Sequence, residues 1–153
     1  MISSLSEIGD YLESVRIPVR LACKTKSDWP MVVSLWFLHQ EGHLFCSTQR
    51  TAKVVSYLAR DPRCAFKIAA DQPPYCGVRG QAIASIDETN APQILKQLLV
   101  RYVGDLNSSL AKKLLAKSGN EVSIVIEPRT IFTWDFTNRM KDIPGQTIDK
   151  ICP

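Results

Sequence analysis

Hydrophobic and polar positions along the chain change period several times, and each change marks an element. Between Ser4 and Ser14, Leu5, Ile8 and Leu12 recur at helical spacing with Glu7, Asp10 and Glu13 outside them, which predicts a short amphipathic helix over 4–14. The period then falls to two. Ile17, Val19, Leu21 and Cys23 alternate with Arg20 and Lys24, a half-buried strand over 17–25. After a turn at 26–30, residues 31–39 are apolar on both faces and read as one continuous strand. Glu41-Gly42 forms a tight hairpin into the apolar run that starts at Leu44. A helix over 51–60 turns Val54, Val55 and Leu58 inward and stops before Pro62.

The second half repeats these signals. Residues 64–70 read as a strand, 70–77 as a Pro-rich loop, and 77–86 as a strand whose Gly77 and Gly80 predict a bend or a close backbone approach. Leucine-rich helices follow at 91–103 and 108–117. Two strands close the pattern, 121–127 and 130–136, joined by Pro128-Arg129, before a loose polar tail over 141–153. Six or seven strands separated by short turns, the first three joined as hairpins, predict a mainly β fold with α insertions. A small antiparallel barrel satisfies this pattern better than a doubly wound sheet, which needs a helix after nearly every strand.

Composition narrows the class. With 153 residues, 45% of them hydrophobic and 22% charged, the chain suits one globular domain with a substantial core. No apolar run approaches the ~18 residues of a membrane span, and the acidic start has no apolar signal core, so a cytoplasmic protein is expected. The net charge of +4 fits a small anionic ligand better than nucleic acid, for which no aromatic platform or reading helix is evident. The five cysteines are odd in number and lack a C-x-x-C pair, which argues against a disulfide framework. Cys23, Cys46 and Cys64 fall in strand-like runs and read as small buried hydrophobes, whereas Cys76 and Cys152 fall in loops.

Chemistry concentrates between residues 43 and 66. Ser47, Thr48, Arg50, Thr51 and Lys53 fall where a strand ends and a helix begins. A helix N-terminus offers unpaired N–H groups and partial positive charge, and the two cations and the hydroxyls beside it can complete a phosphate site. An ordinary N-cap with surface basic residues is the simpler reading of the same residues. The hairpin register points one way. If Gln40 pairs with His43, then Val33, Leu35, Phe37, Leu44 and Cys46 share a core face. The opposite face holds Val32, Ser34, Trp36, Leu38, Phe45 and Ser47, too apolar for open water; it needs a partner subunit, a helix or a flat aromatic ligand. The same register sends His39 and His43 to opposite faces, so no metal site is expected. No residues mark a catalytic triad.

The segments PMVVSLWF, LFCSTQRTAKVVSYLARDPRCAF, PPYCGVRG and EPRTIFTWDFTNRM, in this order, resemble the flavin-binding split barrels of the pyridoxamine 5′-phosphate oxidase-like superfamily. The resemblance spans roughly residues 15–140. It implies a six-stranded antiparallel split β-barrel over residues 1–140, followed by the tail at 141–153. It also implies a homodimer with two flavin sites at the interface, each fed by both chains. FMN is the implied cofactor, with a deazaflavin as the alternative, and a small organic molecule would exchange hydride or electrons with it. A non-catalytic flavin or heme carrier is a further alternative, disfavoured for heme because only two histidines exist, both beside one hairpin tip. The matching phosphate residues are Lys53, Ser47, Thr48 and Thr51, with Arg50 close by. The ring edge maps onto main chain at Val32, Val33, Ser34 and Leu35. Trp134 and Arg139 loosely match C-terminal residues that approach the site, and Arg79 is a further contact. The chain departs from true pyridoxamine phosphate oxidases at Pro30 and Trp36, where those enzymes carry Arg and Lys, and it lacks their C-terminal Arg-x-His motif. Pyridoxamine phosphate is therefore not the expected substrate.

Overall fold

The computed structural model describes residues 2–144 and 151–153. Its centre is one seven-stranded, wholly antiparallel sheet. The strands are β1 (Val19–Lys24), β2 (Pro30–Leu35), β3 (Phe37–Gln40), β4 (His43–Gln49), β5 (Arg63–Ala69), β6 (Cys76–Asp87) and β7 (Glu121–Asp135). Their spatial order is β2-β1-β5-β6-β7-β4-β3. Strands β2 and β3 are separated in sequence by Trp36 alone, yet they form opposite edges of the sheet. A one-residue link between two edges is possible only if the sheet curls back on itself, which makes a barrel split between β2 and β3.

The strand count corrects the expected six. The apolar run over 31–39 is two strands rather than one, because the chain leaves one edge at Leu35 and enters the other at Phe37. The two closing strands are conversely one, β7, which passes through Pro128 without a turn. Pro128 stands opposite Ala82 at a register shift between Gln81 and Ala82, the kind of irregularity that accommodates a residue without an N–H. The close approach expected in β6 occurs at Gly80, where an added Cβ would fall 1.9 Å from the Thr130 carbonyl oxygen and 2.8 Å from the Phe66 ring.

The hairpin register is as the pattern predicts, with Gln40 opposite His43 and Leu38 opposite Phe45. Glu41 and Gly42 both take positive φ, 50° and 79°, which suits the twist of a two-residue hairpin loop. Inside the barrel, Val19, Leu21, Phe37, Leu44, Cys46, Ile68, Val78, Ile124 and Ile126 form the main core. The N-terminal segment plugs one end. A 3₁₀ turn at Leu5–Ile8, closed by a reciprocal Ser4–Glu7 capping box, runs into α1 (Gly9–Ser14) and buries Leu5, Ile8, Tyr11 and Leu12. Helix α2 (Lys53–Arg60) buries Val54 and Leu58.

Helix α3 (Ala91–Tyr102) covers the second apolar face of the hairpin. Leu38 packs on Ile94 and Leu98, with Trp36, Phe45 and Tyr102 around them. Helix α4 (Ser109–Ala116) extends this layer through Ala111 and Leu114. The helix among the expected coverings is thus the one found at the Trp36 end of that face, while Val32 at the other end stays 63% exposed.

The cysteines require a correction. Cys76 and Cys152 form a disulfide that ties the chain end to the first residue of β6. Cys23, Cys46 and Cys64 are free and buried, as expected. Residues 145–150 of the expected tail lie outside the described residues. No described helix is long and apolar enough to cross a membrane, and no metal-binding cluster of His, Cys, Asp or Glu exists among the described residues.

Candidate functional site

Strand β2 is paired on one side only, by β1, so its other edge presents main-chain donors and acceptors at the split of the barrel. Facing that split is a groove of about 310 Å³ lined by Ser34, Leu35 and Trp36, by Ser47, Thr48 and Gln49 at the end of β4, and by Leu95, Leu98 and Leu114 from the helical layer. Trp36 is fixed there by Tyr102, whose ring lies parallel to it at 4.9 Å. The Tyr102 hydroxyl donates to the Ile17 carbonyl at 3.1 Å and accepts from the Phe37 N–H at 3.3 Å, which pins the crossing between the two sheet edges.

A second cavity of about 390 Å³ adjoins the groove, lined by Gln49, Arg50, Thr51, Lys117, Asn120 and Glu121. Gln49 and Glu121 line both. The loop between β4 and α2 is held by main-chain bonds, Arg50 N–H to the Asn120 carbonyl at 2.8 Å and Ala52 N–H to the Gln49 carbonyl at 2.9 Å. The N-cap of α2 is Ala52, with no side-chain hydrogen bond. The hydroxyls of Ser47, Thr48 and Thr51 therefore do not serve as its cap, although Arg50 and Lys53 are exposed, as the simpler reading of surface basic residues has it.

The sequence-predicted residues are dispersed over the molecule. Ser34, Leu35, Ser47 and Thr48 line the groove, and Arg50 and Thr51 line the adjoining cavity, where Arg50 forms an ion pair with Glu88. The Val33 and Leu35 side chains are partly buried against the core, leaving their main chain at the open edge. Lys53 is exposed at the first position of α2 and lines neither cavity.

Arg79 and Trp134 stand elsewhere, on the outer face of the sheet. There Lys67 Nζ and Arg79 Cζ lie 6.0 and 5.9 Å from the centre of the Trp134 ring. Beside them opens a basin of about 710 Å³ whose lining includes Arg20, Val32, Lys67, Arg79 and Phe132, with Phe132 55% exposed. Arg20 reaches from this basin to donate to Ser34 Oγ at 3.1 Å, so β2 borders both the basin and the groove. Arg139 is apart from all of these, exposed over the Phe136 ring at 5.5 Å.

Sequence reasoning missed Gln49, Lys117, Asn120 and Glu121 among the lining residues, and of these Glu121 is the buried one. It is only 7% exposed and accepts a hydrogen bond from Ser47 Oγ at 2.7 Å. As the first residue of an apolar strand, it reads in sequence as a solvated end, and nothing in the pattern signals its burial. The free cysteines offer no nucleophile. Burial raises the Cys23 thiol, pushes Cys64 up to about 12 and raises Cys46 further, so all three are held as thiols.

No family model and no curated protein matches the sequence. Solved structures match the fold. The conserved hypothetical protein Rv2991 from Mycobacterium tuberculosis aligns over 97% of this chain and 93% of its own, at 23% identity and a TM-score of 0.74. An F420 reductase aligns over 86% of this chain and 98% of its own, at 19% identity and TM-score 0.69. A candidate pyridoxamine 5′-phosphate oxidase from Listeria innocua aligns over 84% and 95%, at 20% identity and TM-score 0.65. The fold also serves heme proteins, among them the heme storage protein HutZ from Vibrio cholerae, at 15% identity, 85% and 94% coverage and TM-score 0.64. The chain has the split-barrel fold of the pyridoxamine 5′-phosphate oxidase-like proteins.

Proposed function

We propose that this protein is a homodimeric, FMN-dependent oxidoreductase acting on a small organic molecule. The observation that carries the reading is the open main-chain edge of β2 beside a groove walled by Trp36 and leucines, which leads to the hydroxyls and cations at the end of β4. A flat heteroaromatic ring needs apolar walls and in-plane hydrogen bonds; a phosphate needs N–H groups, hydroxyls and positive charge. Main chain from Val32 to Leu35 would meet the ring edge, and Thr48, Arg50, Thr51 and Lys53 would attract the phosphate. Bound flavin would supply the hydride or electron transfer itself, and the protein the orientation and electrostatics. A deazaflavin is the second reading, favoured by the likeness to an F420 reductase.

The same separation of residues supports a dimer. Arg79 and Trp134 lie on a different face from the groove, so one chain alone does not bring them to it. A twofold pairing through the apolar basin around Val32 and Phe132 would let each chain present its Arg79–Trp134 cluster to the other's open β2 edge.

Titration of the purified protein with FMN, followed by quenching of flavin fluorescence, tests the reading. Arg50→Ala, which removes a cation lining the second cavity, is expected to weaken FMN binding by about 1–3 kcal/mol, the range of a charge-assisted contact, whereas Lys53→Ala, at an exposed position outside both cavities, should weaken it less. Sedimentation is expected to show a dimer that Phe132→Asp converts to monomer. A wild-type protein that takes up neither FMN nor a deazaflavin would overturn the proposal.

A further inference from the structure

The two cavities at the split share two polar residues, Gln49 and Glu121, which face each other across β4 and β7, and Glu121 is the acidic one. Glu121 lines both, is almost fully buried, and among the described residues has no salt-bridge partner. The Ser47 hydroxyl fills one acceptor position of its carboxyl group, which can accept about four hydrogen bonds. The remaining acceptor capacity opens onto the two cavities, where donors of a bound molecule could reach it.

Its neighbours differ on the two sides. Toward the groove stand Trp36, Leu95, Leu98 and Leu114, which suit an uncharged ring; Ser34, Ser47, Thr48 and Gln49 also line it, and of these Ser47 is the one bonded to Glu121. Toward the second cavity stand Lys117 and Arg50, the latter also paired with Glu88, and the two cations suit an anion. An anion placed at Glu121 itself would be repelled, so the charged end of a ligand belongs on the Arg50–Lys117 side and its ring on the Trp36 side. What crosses Glu121 is then the linker between them, and it must carry hydrogen-bond donors.

We infer that Glu121, held by Ser47, is a specificity-determining residue that accepts hydrogen bonds from a hydroxylated linker, so that the site selects ring ligands bearing a polyol chain over the bare ring. This inference rests on the flavin reading and deepens it. It needs the carboxyl group as an acceptor only, with no bond made or broken.

The test compares riboflavin, which has the polyol chain and no phosphate, with lumiflavin, which has a methyl group in its place. Dissociation constants from fluorescence quenching are measured for wild type, for Glu121→Met, which has a similar length but no oxygen acceptor, and for Ser47→Ala, with circular dichroism melts to show that each variant folds. Wild type is expected to bind riboflavin about tenfold tighter than lumiflavin, the worth of one hydrogen bond to a charged group. Both variants should lose most of that preference while their lumiflavin affinity stays within twofold. Equal wild-type affinities, or variants that lose affinity for both ligands by the same factor, would overturn the inference and leave the flavin reading standing. A wild-type protein that binds no flavin would overturn both.

Discussion

Trp36 lies flat on Tyr102, with ring centroids 4.9 Å apart and planes 4° from parallel. The pair sits where the chain passes from one edge of the sheet to the other, with Leu35 the last residue of β2 and Phe37 the first of β3. The stack therefore does two things at once. It holds the split of the barrel at a defined place, and it supplies the flat wall of the groove that opens there.

Tyr102→Phe separates the ring from its hydroxyl. The variant keeps the stacked partner but loses the bond to the Ile17 carbonyl and leaves the Phe37 N–H without its acceptor. The expected cost is about 1–2 kcal/mol of folding stability, the penalty for stranding a partly buried main-chain donor. Urea unfolding followed by circular dichroism measures it. An unchanged midpoint would mean that the hydroxyl is not what pins the crossing.

The residues show which parts of this architecture could be read from sequence. Alternation located β1, and the Glu41-Gly42 turn fixed the register of the hairpin, because both signals are local. The break at Trp36 was not legible: a run apolar on both faces looks the same whether it stays on one edge or changes edges. Pro128 read as a turn because the register shift opposite it belongs to a different strand, β6. The hydroxyls and Arg50 stand at the end of β4 and ahead of α2, where their spacing to the helix places them. Glu121 came to them through pairing of β4 with β7, in which Gln49 faces Glu121 across 72 positions of sequence, and no local pattern encodes that contact.

The disulfide was illegible for the same reason, since Cys76 and Cys152 are separated by 76 positions. Closing so long a loop restricts the unfolded chain far more than the folded one, and Cys152→Ser is expected to lower stability by about 2–4 kcal/mol. Alkylation of the unfolded, unreduced protein checks the bond directly. Labelling should stop at three thiols, those of Cys23, Cys46 and Cys64, and reach five after reduction. Five labels before reduction would show that the bond does not form in the protein as isolated.

His39 gives the fold a pH dependence whose sign can be worked out. Its Nε2 is buried without a hydrogen-bond partner. Burial lowers its pKa below the ordinary 6.5; Arg101 and His43 push the same way, and Glu13 opposes them. Between the lowered folded value and 6.5, the unfolded chain binds the proton more readily than the folded one. The stability contributed by the neutral ring is thus complete above 6.5 and is lost as pH falls through that window. Asp61 acts in a separate range, because hydrogen bonds from Arg63 and Lys24 hold its carboxyl well below the ordinary 3.8, and its contribution fades only in stronger acid. Unfolding free energies from urea titrations at about pH 7 and about pH 5 should therefore fall for the wild type. In His39→Leu, which fills the same site without a titrating group, the difference between the two pH values should shrink. A slope as steep in the variant as in the wild type would assign the effect to another group.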